Sequence, residues 1–350
     1  MITLGIETSC DETALCLLET HDNDGVFEYR VLGNIVHSQI DVHKEYGGVF
    51  PMLAKREHIK NLPILYEKVL NDSGIKENQI NRIAVTRGPG LEPALWTGIL
   101  FAQDLSKKLG VPVIPINHME GHIIGSLLSR SEAHEDFQNL LHVNFPALAV
   151  LISGGHTEIV KIEKIGEYKV LGATVDDAIG EAFDKVARML GLPYPGGPEI
   201  SRLADLARKN SIESKIKLPR PMIHSKDLKF SFSGLKTAVL YTLREIENIN
   251  DEQKQDLARE FENAVTDVLI SKTKSAIDEE CPKALIIGGG VIANRHIRGA
   301  FDTLAKNHSI PLYMPISGLS GDNALMIAVV GSVKPIDNSI VIKAEGNLSL

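Results

Sequence analysis

The sequence is short of cysteine and lacks a long apolar run, an excess of basic charge and any low-complexity tail. Each lack excludes something. Cys10, Cys16 and Cys281 are odd in number and have no ligand-like spacing, which argues against disulfides or a thiolate zinc site and for a reducing cytosol. They read as buried structural thiols. The longest uncharged stretch, Leu140 to Thr157, is broken by His142, Asn144, Pro146 and Gly154-Gly155, so no membrane span is expected. The N-terminus has no basic n-region and reaches Glu7, which suits a first strand better than a signal or transit peptide and implies a cytoplasmic location. A net charge of -8 disfavours a protein that coats nucleic acid non-specifically. A local basic patch remains: between Arg208 and Lys236 eight basic residues face two acids, Glu213 and Asp227. That segment is either a solvated loop or a docking surface.

What is present is an ordinary globular composition, 43% hydrophobic and 23% charged over 350 residues, enough for two domains or one double-lobed unit. The first third alternates strand and helix signals: strands ending at Thr8, at Ala14–Leu18, Ile83–Thr86 and Val113–Ile116, and helices over Leu53–Leu70 and Pro93–Leu109. From Pro146 a similar order begins again, with Ala147–Ile152, a glycine turn and Thr157–Ile162. The chain therefore reads as two related α/β halves. A helix is predicted over Val175–Leu190, with Thr174 as N-cap, Asp177 at the capping-box position and Gly191 as stop. A long helix over Gln253–Glu279 precedes a strand at Ala284–Ile287.

Two features carry chemistry. His118 and His122 stand four residues apart, so on a helix both rings share a face and can share a divalent metal. Packing or surface histidines are the plain alternative. The H-E-x-x-H protease pattern is not met, because Met119 occupies the glutamate position and the acid is Glu120. A third ligand is wanted, and Asp322, beside glycines and just before an apolar helix start, is the candidate. The second feature is a set of strand-to-turn junctions, Ile6–Ser9, Ile152–Thr157 and Ile287–Gly290, whose small residues can bring backbone N–H groups to an anion. Each alone can be a mere turn; three in a duplicated chain point to a nucleotide.

In order along the chain, Gly5-Ile6-Glu7-Thr8-Ser9-Cys10-Asp11-Glu12-Thr13, Tyr46-Gly47-Gly48-Val49-Phe50-Pro51, Asn117-His118-Met119-Glu120-Gly121-His122, Ser153-Gly154-Gly155-His156-Thr157, Gly180-Glu181-Ala182-Phe183-Asp184-Lys185, Phe230-Ser231-Phe232-Ser233-Gly234-Leu235-Lys236-Thr237 and Gly289-Gly290-Val291-Ile292-Ala293-Asn294 closely resemble the bacterial TsaD family, the tRNA N6-adenosine threonylcarbamoyltransferases. The resemblance spans residues 1 to about 330. It implies an actin-like fold of the sugar kinase/Hsp70 type, with two duplicated RNase H-like lobes and a central cleft. The lobes are expected at 1–125, completed by a C-terminal helix at 323–335, and at 145–322, with the basic insertion 208–236. The implied reaction transfers threonylcarbamoyl from threonylcarbamoyl-AMP to N6 of adenosine 37 in tRNAs that read codons beginning with A, releasing AMP.

Carried onto this chain, the family's metal ligands fall on His118, His122 and Asp322, for one divalent ion per subunit, iron or zinc. Its adenylate-binding positions fall on Ser153, Gly154, Gly155, His156, Thr157, Asp184, Gly197 and Asn294. The implied partners are tRNA, a TsaB-like paralogue and a TsaE-like ATPase, in a homodimer or heterodimer, with no membrane. Lys215, Lys217 and Arg220 are the candidates for tRNA contact; Phe230 and Phe232 are stacking platforms or core residues. Two positions depart from the family pattern, Met52 where many bacterial relatives have Glu, and Ser201 where some place an acid against the ribose. A small-molecule kinase or carbamoyltransferase of the same fold, a metallopeptidase and a degenerate scaffold are the competing readings.

Overall fold

The computed structural model describes residues 1–23, 26–128, 137–246, 248–337 and 341–350. In chain order the elements are β1 (Ile2–Glu7), β2 (Glu12–Asn23), β3 (Val26–Ser38), α1 (Ile40–His43), α2 (Pro51–Ser73), β4 (Arg82–Gly88), α3 (Glu92–Leu109), β5 (Val113–Asn117), α4 (His118–Gly125) and β6 (Gln138–Asn139). There follow β7 (Ala147–Ile152), β8 (Thr157–Lys164), β9 (Glu167–Ala173), α5 (Ile179–Met189), α6 (Gly196–Lys209), α7 (Ser233–Glu245), α8 (Asp251–Glu280), β10 (Ala284–Gly288), α9 (Arg295–His308), β11 (Leu312–Tyr313) and α10 (Ala324–Val333).

The chain divides into two compact units, residues 1–142 with 315–350, and residues 143–314. In the first unit the strand order is β5-β4-β1-β2-β3-β6; in the second it is β11-β10-β7-β8-β9. The senses match as well. β1 pairs antiparallel with β2 and parallel with β4, and β7 pairs antiparallel with β8 and parallel with β10. The repeat read from the sequence is therefore a repeat of topology. The central strands β1 and β7 are buried almost throughout, as expected for strands covered on both faces.

The unit boundaries differ from those expected at 125/145 and 322/323. Residues 315–322 belong with the first unit because Asp322 is held there by His118, His122 and Ser9. The following helix, α10, is apolar all round and buried from Ala324 to Ser332, the pattern of an internal helix. It lies against β1 at Gly5, where an added Cβ would stand 2.4 Å from the Ala324 carbonyl oxygen.

Three expectations are corrected. Helix α5 begins at Ile179, not Val175, because residues 174 and 175 are held extended: Thr174 N–H donates to Thr157 O and Val175 N–H to Phe230 O. Its first N–H groups are satisfied from another segment, Ile179 by the Thr157 hydroxyl, Gly180 by Ser153 O and Glu181 by Gly154 O. Asp176 and Asp177, which suited that helix start, serve elsewhere. Asp176 accepts from the backbones of Phe232 and Ser233 at the start of α7, and Asp177 pairs with Lys185 and Lys236. The third correction concerns the thiols: Cys16 is buried and Cys10 half-buried, but Cys281 is exposed as the left-handed C-cap of α8.

Candidate metal group and nucleotide cavity

The metal ligands predicted from the sequence meet in the first unit at the starts of two helices. Strand β5 runs directly into α4, whose N-cap Asn117 accepts from Met119 N at 2.8 Å, so His118 opens the helix and His122 lies one turn on. The two rings are 4.6 Å apart. Asp322 immediately precedes Asn323, the side-chain cap of α10. Gly121 permits the approach of the two helices, since a Cβ there would stand 3.0 Å from Ile327 Cδ1. Asp322 Oδ1 is 3.3 Å from His118 Nε2 and 3.2 Å from His122 Nε2, and one ligand atom from each of the three residues lies within 4.8 Å of the others.

This group fits a divalent cation on three observations. The buried Nε2 of His122 stands 3.2 Å from Asp322 Oδ1 but makes no well-formed hydrogen bond among the described residues. Glu7, at the end of β1 and fully buried, accepts from His118 Nδ1 at 2.9 Å and from the Thr86 hydroxyl at 2.6 Å. With Nδ1 donating to that carboxylate, the His118 Nε2 lone pair is turned into the ligand group, the usual arrangement of a carboxylate behind a metal-binding imidazole. The third observation is electrostatic. Burial first, and then the negative charges of Asp11 and Asp322, push the Glu12 carboxyl up to about 10. Burial is the larger cause, and a cation beside Asp11 and Asp322 would offset the smaller, charge-based part. Burial opposes a charge on His118, but Asp322 and Glu7 outweigh it and hold the imidazole well above its ordinary value; His118 and then His122 hold Asp322 well below the carboxylate range against its own burial. Glu120 is not in the group. It is buried and paired with Lys334, which leaves the protease arrangement unsupported.

The second unit holds a cavity of about 490 Å³, within the size range of small-ligand sites. One wall is the α5–α6 corner, with Phe183, Asp184 and Gly197; the other is the segment after β10, with Gly290, Val291 and Asn294. Asp184 accepts from Gly196 N at 2.7 Å and so fixes the start of α6. An added Cβ at Gly154, Gly197 or Gly290 would meet nothing, so at these places the backbone is bare toward open space. N–H groups presented this way, with a helix N-terminus at Gly196–Gly197, can approach an anion.

The sequence profile described as TsaD: tRNA N6-adenosine threonylcarbamoyltransferase matches residues 30–329. The chain belongs to the TsaD family. It is 44% identical over 353 residues to the tRNA N6-adenosine threonylcarbamoyltransferase of Thermosipho africanus, covering all of both chains. It is also 44% identical over 340 residues to the enzyme of that name from Burkholderia mallei, covering 95% of this chain and 92% of that one. Component A of the (R)-2-hydroxyglutaryl-CoA dehydratase of Acidaminococcus fermentans has a similar structure, with a TM-score of 0.50 at 15% identity over 95% of this chain and 97% of that one. That likeness speaks for fold alone, and the fold is the actin-like α/β fold that the TsaD resemblance implies.

Of the adenylate positions carried over from the TsaD family, Gly154, Asp184, Gly197 and Asn294 line the cavity, whereas Ser153, Gly155, His156 and Thr157 are not among its lining residues. Ser153 closes the β7–β8 turn, its hydroxyl accepting from His156 N and its N–H donating to His156 O, while Thr157 is buried. Ser201 lines the cavity, as do Arg202 and Asp205 on the same face of α6. Sequence reasoning singled out Ser201 but missed Arg202 and Asp205, although they recur at helical spacing with it. It also missed Glu7 as the partner of His118, for which the available signal was an acid ending an apolar strand.

The basic segment shows two kinds of residue. Lys215 and Lys217 are exposed, whereas Arg220 is held by Glu260 and Asp267. Phe230 and Phe232 are fully buried in the core of the second unit and stack on each other at 6.1 Å. No helix among the described residues is long and apolar enough to cross a membrane.

Proposed function

We propose that this chain transfers the threonylcarbamoyl group of threonylcarbamoyl-AMP to N6 of adenosine 37 in tRNAs that read codons beginning with A. The N6 amine attacks the carbamoyl carbonyl carbon, the bond from that carbon to the phosphate oxygen breaks, AMP leaves, and the amine loses a proton. The observation that carries the reading is the pairing, in a TsaD chain, of a His-His-Asp group with a glycine-lined cavity of nucleotide size. His118, His122 and Asp322 would hold one divalent ion, Fe²⁺ or Zn²⁺, which when bound supplies Lewis acidity toward an oxygen of the acyl group. Glu7 keeps His118 in the ligating tautomer. In the cavity, Asp184, the glycine backbone at 154 and 197, and the apolar faces of Phe183 and Val291 hold the adenosine and its phosphate, and Asn294 fixes the opposite wall. His156 is a turn residue in this reading.

Lys215 and Lys217, exposed and with no acid partner among the described residues, offer ammonium groups to tRNA phosphates, and Arg220 anchors the loop that carries them. Reversing both lysines should weaken tRNA binding and flatten its salt dependence; unchanged affinity and slope would remove the loop from the interface. Trp96 and Leu100, one turn apart on α3, are exposed on the first unit and offer apolar side chains to a TsaB-like paralogue, with a TsaE-like ATPase joining the assembly in the cytoplasm.

The deciding experiment supplies tRNA, threonylcarbamoyl-AMP and the partner proteins, and measures threonylcarbamoylated adenosine by mass spectrometry. The wild type should form it, and the His118→Ala, His122→Ala variant should not. Near wild-type product from the folded double variant would overturn the role of the group.

A further inference from the structure

A buried carboxylate on α8 joins the two walls of the cavity in the second unit. Glu262 is completely buried, and each of its oxygens has a different partner. Oε1 accepts from Asn294 Nδ2 at 2.5 Å, and Oε2 accepts from Arg208 Nη1 at 2.5 Å. Asn294 belongs to the wall after β10, and Arg208 to the last turn of α6, whose earlier turns carry Gly197, Ser201 and Asp205.

Neither partner is loosely held. Asn294 Oδ1 accepts from Ile297 N at 3.0 Å and caps α9, so its side chain ties that helix start to α8. Arg208 gives its second nitrogen to Asn263 Oδ1 at 2.8 Å and has Asp205 at 3.7 Å. Arg208 and Asn294 both bond to Glu262 rather than to each other. A buried carboxylate with only one of these partners would keep an unsatisfied oxygen, so the two contacts are retained together.

We infer that Glu262 is a positioning residue that sets the separation of the α6 wall from the 290–295 wall, and with it the affinity of the cavity for an adenylate. The inference rests on the adenylate reading of the cavity given above. A glutamine at this position cannot replace it, because its amide offers one acceptor oxygen and meets the other donor with an N–H group. Methionine at 208 releases the α6 wall and leaves the carboxylate on Asn294 alone. Lysine at 208 keeps one charged donor toward Oε2 but loses the fork to Asn263.

The test is calorimetric titration of AMP into the full-length protein and its Glu262→Gln, Arg208→Met and Arg208→Lys variants, at a temperature where circular dichroism shows each folded. Glu262→Gln and Arg208→Met should each bind AMP about tenfold more weakly. Arg208→Lys should stay within about threefold of wild type. The double variant Glu262→Gln, Arg208→Met should bind no worse than the weaker single one, since both break the same tie. If the folded variants bind AMP as the wild type does, Glu262 contributes to stability alone and the inference fails by itself. If the wild type does not bind AMP, the adenylate reading fails and takes the inference with it. Should Glu262→Gln not fold, Arg208→Met decides, because Arg208 is partly exposed at the helix end.

Discussion

The two units place a strand-to-strand turn in the same topological slot and fill it with opposite chemistry. β1 ends in Glu7 and its turn carries Ser9 and Asp11, all buried; after β7 the turn carries Ser153, Gly154 and Gly155, with the glycines open to space. In both, the turn follows the central strand of a five-strand pattern in which that strand is parallel to one neighbour and antiparallel to the other. Shared topology decides where a turn comes. Side chains then decide what it attracts: crowded acids and imidazoles favour a cation, and bare backbone N–H groups favour an anion. The same topological slot thus carries acids and imidazoles in one unit and bare glycine backbone in the other.

Removing the carboxylate behind the metal group should break the first half of that comparison most severely. In Glu7→Ala, His118 loses the acceptor of its Nδ1–H and is free to take the wrong tautomer, and metal affinity should fall about 10- to 100-fold. Competition with a chromophoric chelator measures it. Wild-type affinity in the variant would mean that Ser9 Oγ, 3.3 Å from the same nitrogen, suffices to orient the ring.

The second half is sharpened by two glycines with different surroundings. A Cβ at Gly154 meets nothing within 4 Å, whereas one at Gly180 would stand 2.7 Å from Gly154 Cα and 2.8 Å from Ser153 O. Gly154→Val should therefore fold normally and lose AMP binding, because its side chain occupies the cavity. Gly180→Ala should instead lower stability by about 1–3 kcal/mol, as overpacking against backbone does. Thermal unfolding and AMP titration of the two variants separate the effects; equal loss of stability in both would refute the reading of Gly154 as a ligand-facing position.

Much of this was legible in the sequence where the signal is local. The i, i+4 histidines, the apolar run of α10 and the glycine turns announced themselves, because helical periodicity and backbone permissiveness are properties of neighbouring residues. What was not legible depends on distant pairing. The start of α5 was misplaced because Thr174 is held by Thr157 and Val175 by Phe230, so a good local N-cap was overruled by tertiary hydrogen bonds. Glu7 meets His118 across more than a hundred residues, and Glu262 meets Arg208 and Asn294 from a third element; no spacing rule links them. Phe230 and Phe232 could have been surface stacking platforms by type, and only packing shows them as core.

The smallest expected effect concerns pH. In the first unit a chain of side chains joins the loop before α2 to the turn after β1. Phe50 N–H donates to His43 Nδ1 at 3.3 Å, His43 Nε2–H to Gln39 Oε1 at 3.2 Å, Gln39 Nε2–H to His58 Nδ1 at 3.2 Å, and His58 Nε2–H to Cys10 O at 2.9 Å. The Thr13 hydroxyl also donates to His58 Nδ1, at 2.8 Å. With both imidazoles neutral each Nδ1 accepts, that of His58 shared between two donors, and a second proton on either Nδ1 would face a donor. Burial holds both rings below the ordinary 6.5, against the opposing pull of Asp11 and Glu57 on His43 and of the Cys10 carbonyl, Glu7 and Asp11 on His58. A histidine depressed in the folded state contributes its full stability above the unfolded value of 6.5 and loses it as pH falls from there through the folded value. In the second unit His296 has the same sign, whereas Asp177, lowered by Lys185 and Lys236 against its own desolvation, begins to lose its contribution only below 3.8. The melting temperature should therefore drop between about pH 7.5 and 5.5, and less steeply in His58→Asn, which has no proton to gain there. An equal drop in that variant would assign the acid sensitivity to His43 or His296 and leave His58 as a purely structural tie.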